Sequence, residues 1–394
     1  MVMTKGTIGI LTGGGDVPGL NPAIRAATIR AVKEGYKVIG IKNGWKGLIN
    51  IDRDKPLSEQ KYVMPLDISA VQAVGRRGGT FLHSARTNPL HIKKNDVPFR
   101  LQSEYQLDDN DLTPEVVKNL DYLGINYLIP IGGDDTLSYG AHLHKQGFKC
   151  VAIPKTMDND VSGTEYCIGF STCVTRTVHY TRQLRTCAGS HERFLVVEVF
   201  GRYAGFSSLI PCLAGAADRC VIPEHKFDID RLTELMVYDK RNNPSAYSVL
   251  FVSEGAMFEG GEMIFENDEK DGFGHKKLGG IGDLVALKLK ELSPKYNGGE
   301  KISSITQRLG YLVRSGDPDA IDSMVSMAFA NLAMSYIMEG KSGIMVCLRK
   351  GRYESVPLDV VISYKKLVDV SKFYDINRYR PRYENFEDKP MWII

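Results

Sequence analysis

The sequence predicts an α/β protein with two lobes, each built on a mostly parallel sheet covered by helices, with a site in the cleft between them. Three observations carry this. Short β-branched runs alternate with stretches of helical period, the pattern of parallel sheets with both faces covered. Several of those runs end in glycine-rich or charged loops, and open parallel sheets hold ligands beyond the carboxyl ends of their strands. The length of 394 residues points to two domains rather than one.

The elements follow in order. "TIGILT" (7–12) is a strand ending in Gly13-Gly14-Gly15. Asn21 is placed to cap a helix, Pro22 suits its first turn, and Ala23, Ile24, Ala27, Ala31 and Val32 mark its apolar stripe. Gly35 ends that helix and "YKVIGI" (36–41) is the next strand. "TPEVVKNLDYLG" (113–124) has Pro at its start and Gly at its end, so it reads as a helix leading into the strand "INYLIPI" (125–131). A helix over 136–147 and the strand "KCVAI" (149–153) come next. Further strands are "FLVVEVF" (194–200), "YSVLFVS" (247–253) and "GIMVCL" (343–348). Residues 258–280 are charged and Gly-rich, the composition of an exposed loop. The tail, 366–394, mixes aromatics and arginines, among them Tyr374, Arg378, Tyr379, Arg380, Arg382 and Tyr383. A base-stacking surface is one reading of it; a tail docked on the body is the better one. The expected division is an N-terminal lobe over 1–165, rejoined by 315–350, a second lobe over 166–314, and a C-terminal extension over 351–394.

Bulk properties exclude several classes. Hydrophobic residues at 43% and charged residues at 25% are ordinary for a globular protein with a large core. A net charge of +3 gives no general attraction to nucleic acid or an anionic membrane. The seven cysteines, Cys150, Cys167, Cys173, Cys187, Cys212, Cys220 and Cys347, form no C-x-x-C pair. They read as reduced, mostly buried thiols of a cytoplasmic protein rather than a zinc site. No segment is expected to reach the ~18 apolar residues of a membrane span.

Three loops follow predicted strands and can converge on one crevice: "TGGGDVPGLN" (12–21), "GGDDT" (132–136) and "PKTMDND" (154–160). The first offers bare backbone N–H groups, Gly14 and Gly15 among them, and leads into a helix N-terminus, which favours anions. It is neither a dinucleotide fingerprint nor a P-loop, since G-x-G-x-x-G and Gly-Lys-Ser/Thr are both missing. Taken alone, it is more readily explained as a tight strand-to-helix turn. In the third loop, Lys155, Thr156, Asp158 and Asp160 lie within six residues. Two carboxylates at i and i+2 of an extended segment share a face. One can take a proton from a hydroxyl while the other orients it or approaches a metal. A solvated turn is the bland alternative. The "GGDD" loop upstream tips the balance toward phosphoryl transfer. Arg86, Arg176, Arg193, Arg202 and Arg314 are possible anion binders, and Arg193 and Arg202 flank one buried-looking strand. The eight histidines form no ligand set, and Ser207 and Ser208 lack a nucleophile elbow.

Together these motifs resemble the phosphofructokinase family, in the family's order, over roughly residues 7–350. That resemblance implies a phosphofructokinase-like fold and a glycolytic and gluconeogenic phosphotransferase. "LTGGGDVPGLNPAIR" resembles the N-terminal phosphate loop. "GGTFLHSAR" supplies Arg86 near the donor phosphates. "GGDDT", with Gly133, supplies Asp134 for Mg²⁺. "PKTMDND" resembles the catalytic loop, with Asp158 as base toward the sugar 1-hydroxyl and Thr156 and Met157 beside it. "VVEVFGRYAG" and "FVSEGA" imply sugar-phosphate binding by Phe200, Gly201, Arg202 and Glu254, and "LGYLVRSGDPDA" implies the same for Tyr311 and Arg314. Arg193 falls where the family uses an arginine from a neighbouring subunit, which implies a homodimer or homotetramer. Ile305 stands where a further phosphate-binding arginine is frequent, with Arg308 three residues away on the opposite strand face.

The resemblance also bears on the donor. ATP users usually have Gly at position 135 and begin the catalytic loop Pro-Gly-Thr. Asp135 and Lys155 stand there instead, the pattern of the pyrophosphate-dependent branch. A carboxylate ~4 Å from the α-phosphate of ATP costs roughly 4 kcal/mol at an effective dielectric of about 20. Pyrophosphate ends one phosphate earlier. The expected partners are therefore pyrophosphate and fructose 6-phosphate, with no nucleic acid and no membrane. ATP-dependent transfer remains the alternative within the class, and a non-catalytic sugar-phosphate-binding subunit the alternative outside it.

Overall fold

A computed structural model describes residues 4–270, 274 and 276–386. The last eight residues of the tail and part of the 258–280 segment therefore lie outside the described residues. Thr7–Thr12 lies inside the first sheet because Ile8, Ile10 and Leu11 have no surface left to expose. Seven strands run in the order Arg352–Pro357, Ile344–Arg349, Val151–Pro154, Tyr127–Gly132, Thr7–Thr12, Lys37–Ile41, Val63–Leu66. Neighbours pair parallel except at the two edges, where Arg352–Pro357 and Val63–Leu66 run antiparallel. A second, fully parallel sheet has the order Ser304–Arg308, Phe194–Val199, Ser248–Ser253, Arg219–Val221. The predicted two-sheet α/β class holds.

All seven predicted strands are present within about two residues of their expected ends, the usual uncertainty of such boundaries. Four strands of the two main sheets gave no sequence signal: Val63–Leu66, Arg219–Val221, Ser304–Arg308 and Arg352–Pro357. All four lie at sheet edges, and they owe their strand state to a neighbour's backbone rather than to an apolar run of their own.

Four expectations are corrected. Asn21 is not the cap of the first helix. The helix runs Leu20–Lys33 from Gly19, and Asn21 sits in its first turn. Its amide instead donates to Arg77 O and Gly78 O and accepts from Phe81 N at 2.9 Å, clamping the 77–81 loop. The helix expected over 136–147 is Asp134–Lys145, so both aspartates of "GGDD" stand in its first turn, where the helix dipole favours them. The 258–280 segment is not a plain loop, for Phe265–Lys270 and Lys276–Leu278 pair as an antiparallel hairpin. Finally, Ala320–Met338 is long and apolar enough to qualify as a span by length and composition. It packs instead against the first helix and the strands Val151–Pro154 and Ile344–Arg349.

That last helix carries a fully buried carboxylate. Asp322 accepts from Tyr166 Oη at 2.6 Å, Gly169 N at 2.7 Å, and Thr172 N and Oγ1 at 2.8 and 2.5 Å. It thus satisfies the first amides of the long helix Phe170–Ser190. Burial still lifts its pKa to about 6 against these donors. The clamp fixes the segment that leaves the Lys155–Asp160 loop. Asp322→Ala leaves buried donors without an acceptor and is expected to cost at least about 3 kcal/mol. Asp322→Asn, which keeps an acceptor oxygen, should cost less; urea unfolding of the two variants measures the order.

Candidate active site

The three loops and two strand ends of the second sheet surround one cavity of about 290 Å³. Gly14 needs its glycine. Its φ is 78°, and a Cβ there would stand 3.2 Å from Lys155 Nζ. Gly15 has no room either, since a Cβ would meet Arg314 Nη2 at 2.7 Å. The bare loop is what lets two cations close on it. The 80–86 segment holds that loop from the other side. Gly14 N donates to Ala85 O at 3.1 Å and Ser84 Oγ to Gly14 O at 2.6 Å, which brings Arg86 to the cavity wall.

Lys155 continues the Val151–Pro154 strand, its N–H donating to Gly132 O at 2.9 Å. The chain then turns, and here the extended geometry expected for Asp158 and Asp160 is overturned. Asn159 between them is left-handed, with φ 56°, and buried. Its Nδ2 donates to Glu165 O at 3.0 Å and its Oδ1 accepts from Cys167 N at 2.9 Å. Both carboxyls face the cavity because this turn directs them there, not through strand alternation.

From the second sheet, Phe200, Gly201 and Arg202 follow Phe194–Val199, and Glu254 follows Ser248–Ser253. Glu254 N donates to Val199 O and Gly255 N to Gly201 O, which ties the two strand ends together. Arg314 reaches in from the short helix Tyr311–Arg314 and pairs with Asp16 at 2.6 Å.

The electrostatics are those of crowded charge. Burial, then Asp160 and Asp135, push the Asp134 carboxyl up to about 8, against Lys365 and Lys155. Burial, with Asp160 and Glu254 adding to it, raises Asp158 well above the usual carboxylate range, opposed by Arg202. Burial lifts Glu254 to about 7, again opposed first by Arg202. Lys155 moves the other way, down to about 8, through burial and then the guanidinium groups of Arg314 and Arg86. Oδ1 of both Asp134 and Asp158 is buried without a hydrogen-bond partner. Among the described residues no three His, Cys, Asp or Glu side chains form a metal cage. The orphan oxygen of Asp134 fits a cation that takes most of its ligands from phosphate and water, as Mg²⁺ does.

Of the residues singled out in the sequence, Gly14, Gly15, Arg86, Gly133, Asp134, Asp135, Lys155, Thr156, Met157, Asp158, Asp160, Phe200, Arg202, Glu254 and Arg314 line the cavity. Gly201 stands between two of them, its φ of 120° turning the chain beneath. Tyr311, 73% exposed, lines an adjoining cleft of about 780 Å³ and stacks on Arg314. Arg193 precedes the far end of the Phe194–Val199 strand and does not reach its own chain's cavity. Arg176 donates to Asp317 O at 2.7 Å, and Arg308 is committed to Glu266, Asp283 and Glu198. Sequence reasoning did not single out Val17, Thr136, Tyr203 and Lys365 as site residues, though they also line the cavity. Val17, Thr136 and Tyr203 lay inside quoted motifs. Lys365 comes from the C-terminal extension, and no local pattern marked it.

The family model for phosphofructokinase matches residues 7–337. A pyrophosphate–fructose 6-phosphate 1-phosphotransferase of Streptomyces coelicolor is 37% identical over 371 residues, 94% of this chain and 98% of that protein. An ATP-dependent 6-phosphofructokinase 3 of the same organism is 35% identical over 92% of this chain and 96% of that one. The crystal structure of a pyrophosphate-dependent phosphofructokinase from Marinobacter aquaeolei superposes with a TM-score of 0.72 at 19% identity, covering 97% of this chain and 90% of the other.

Asn159 generates a stability prediction. Asn159→Gly keeps the left-handed turn but loses both hydrogen bonds, for about 1–3 kcal/mol. Asn159→Ala adds backbone strain of roughly 1–2 kcal/mol. Denaturant unfolding should rank wild type above Gly and Gly above Ala.

Proposed function

We propose that this chain, which belongs to the phosphofructokinase family, transfers a phosphoryl group from pyrophosphate to the 1-hydroxyl of fructose 6-phosphate. The products are fructose 1,6-bisphosphate and phosphate, and the similar phosphoryl potentials of donor and product make the reaction reversible. The observation that carries the choice of donor is the placement of Asp135 and Lys155 on one small cavity with Asp134. Asp135 sets a negative charge where a longer donor would continue. Lys155, buried and fixed, faces the phosphates.

In this reading Asp158 accepts the hydroxyl proton as the sugar oxygen bonds to the nearer phosphorus and the bridging P–O bond breaks. Its raised pKa makes it a stronger base than an exposed carboxylate. Lys155 and Arg86 offset charge on the transferring and leaving phosphates, the main source of catalysis in such reactions. Thr156 Oγ1 accepts from Asp158 N at 3.1 Å and steadies the loop. Arg202, Glu254 and Arg314 hold the sugar phosphate, with Phe200, Gly201, Met157 and Tyr311 shaping its pocket. Asp134 would hold Mg²⁺, which would supply neutralisation of the phosphate charge.

Arg193, remote from its own cavity, is assigned to the site of a neighbouring copy in a homodimer or homotetramer. A cytoplasmic setting suits seven free thiols. ATP is the second reading, favoured by the similarity to an ATP-dependent relative.

Rates on fructose 6-phosphate with Mg²⁺ and each donor decide between the two; strong turnover with ATP and none with pyrophosphate overturns the proposal. Asp135→Gly should weaken pyrophosphate use and admit some ATP, and adding Lys155→Gly should admit more. Unchanged donor preference in both variants refutes the charge argument. Asp158→Asn should lower kcat by about 10²–10⁴ without loss of thermal stability, because it relieves a desolvated charge.

A further inference from the structure

We infer that Glu224 is a positioning residue for sugar binding. Its one carboxylate ties the turn that carries Arg202 to the C-terminal extension, and so sets the sugar grip of the second lobe against the catalytic loop of the first. The inference rests on the assignment of Arg202 to the sugar phosphate above, and not on the choice of donor.

The extension is a strap between the two sheets. It leaves the first sheet after the Arg352–Pro357 edge strand. It ends beside Arg219–Val221, an edge of the second sheet, where Cys220 N donates to Tyr379 O at 2.8 Å and Tyr374 Oη to Cys220 O at 2.7 Å. Between these ends it is held first by the segment just after the catalytic loop. Tyr364 accepts from Ser162 Oγ through its carbonyl and from Gly163 N through its hydroxyl at 3.1 Å. Lys366 Nζ donates to Glu165 O at 3.1 Å.

The second hold is Glu224, three residues beyond the Arg219–Val221 strand. Val368 N of the strap donates to its Oε1 at 2.8 Å. Gly205 N donates to the same carboxylate, 3.0 Å from Oε1 and 3.1 Å from Oε2. Gly205 is the point where the turn after the Phe194–Val199 strand passes into the helix Phe206–Leu213. The approach is close, for a Cβ at Gly205 would stand 3.0 Å from Glu224 Oε2 and 2.5 Å from Ile222 Cβ. The near end of the turn is fixed from elsewhere. Gly255 N donates to Gly201 O at 3.0 Å, and Ser207 Oγ donates to Phe200 O. Arg202 lies between these ties and Gly205, so Glu224 fixes the far end of its turn. Strap and turn also touch through two rings. Lys365 Nζ lies 3.9 Å over Tyr203 and Lys366 Nζ 5.2 Å over Phe206.

Both partners of Glu224 are backbone amides, so its bonds fix the main chain itself, and a charged acceptor makes them about twice as strong as neutral ones. A guanidinium on a long side chain is only as well placed as the main chain beneath it, and a misplacement of about 1 Å can cost about 100-fold. None of these ties involves the glycine loop or the Asp134–Asp135 turn, so the donor side does not depend on them.

Glu224→Ala and Glu224→Gln in the full chain test this, assayed with whichever donor the wild type uses. The Ala variant should raise the fructose 6-phosphate KM about tenfold while the donor KM stays within about twofold. The Gln variant keeps an acceptor oxygen in the same place and should recover most of the difference. If the Ala variant does not fold, Glu224→Asp takes its part, because the shorter side chain cannot reach both amides. In an Arg202→Met background Glu224→Ala should add less than about twofold, since coupled residues do not act additively. An unchanged fructose 6-phosphate KM, or an equal rise in both KM values, overturns the inference, and so does a full further tenfold rise in the Arg202→Met background. The sugar reading fails separately. If Arg202→Met alone leaves the fructose 6-phosphate KM unchanged, that assignment falls and the role of Glu224 falls with it. If Arg202→Met raises that KM and Glu224→Ala does not, only the inference about Glu224 falls.

Discussion

Carboxylates and cations share one small recessed cavity, and that crowding is the constraint on which the rest depends. Asp134, Asp158 and Glu254 are each raised by burial and then by neighbouring carboxylates, and Asp160 is raised by burial against the cations and donors around it. No single element of the chain could hold them so close. The protein holds them by drawing the groups from separate loops and bracing every loop from behind. Asn159 fixes the turn between two of the carboxylates, Asp322 fixes the segment that follows, and the 80–86 strip presses on the glycine loop.

The same crowding leaves its marks on single atoms. Oδ1 of Asp134 and of Asp158 is buried without a hydrogen-bond partner, and Lys155 is brought below its ordinary pKa by burial and then by two arginines. In phosphoryl transfer there is little covalent work for the protein, so positioned charge is most of what it can contribute.

The two sheets have different tasks. The first brings three loops together at the ends of neighbouring strands, Thr7–Thr12, Tyr127–Gly132 and Val151–Pro154. The second offers Phe200, Arg202 and Glu254 from two neighbouring strands of its own. Because the cavity lies between sheets, anything that bridges them can tune it. The tail does this, tied to residues 162–165 on one side and to Glu224 and Cys220 on the other.

Much of this was legible in the sequence. Strand ends, glycine loops and the acidic clusters are local patterns, and the α/β class and the three converging loops followed from them; the resemblance to phosphofructokinases added cavity residues such as Met157, Phe200 and Glu254. What the sequence could not supply arises from contacts between distant segments. Asn21 looked like a cap because its spacing fits one, yet a loop some 56 residues later claims its amide. Asp158 and Asp160 were expected to align along an extended chain, but Glu165 and Cys167 bend that chain through Asn159. Arg193 carries a motif position without reaching its own cavity, and Lys365 reaches the cavity without any motif. The sequence by itself determined which chemistry the residues can do, because side-chain type and local spacing are written in it. Only the tertiary structure decided which charges meet, because proximity across 200 residues depends on how the two sheets and the tail pack.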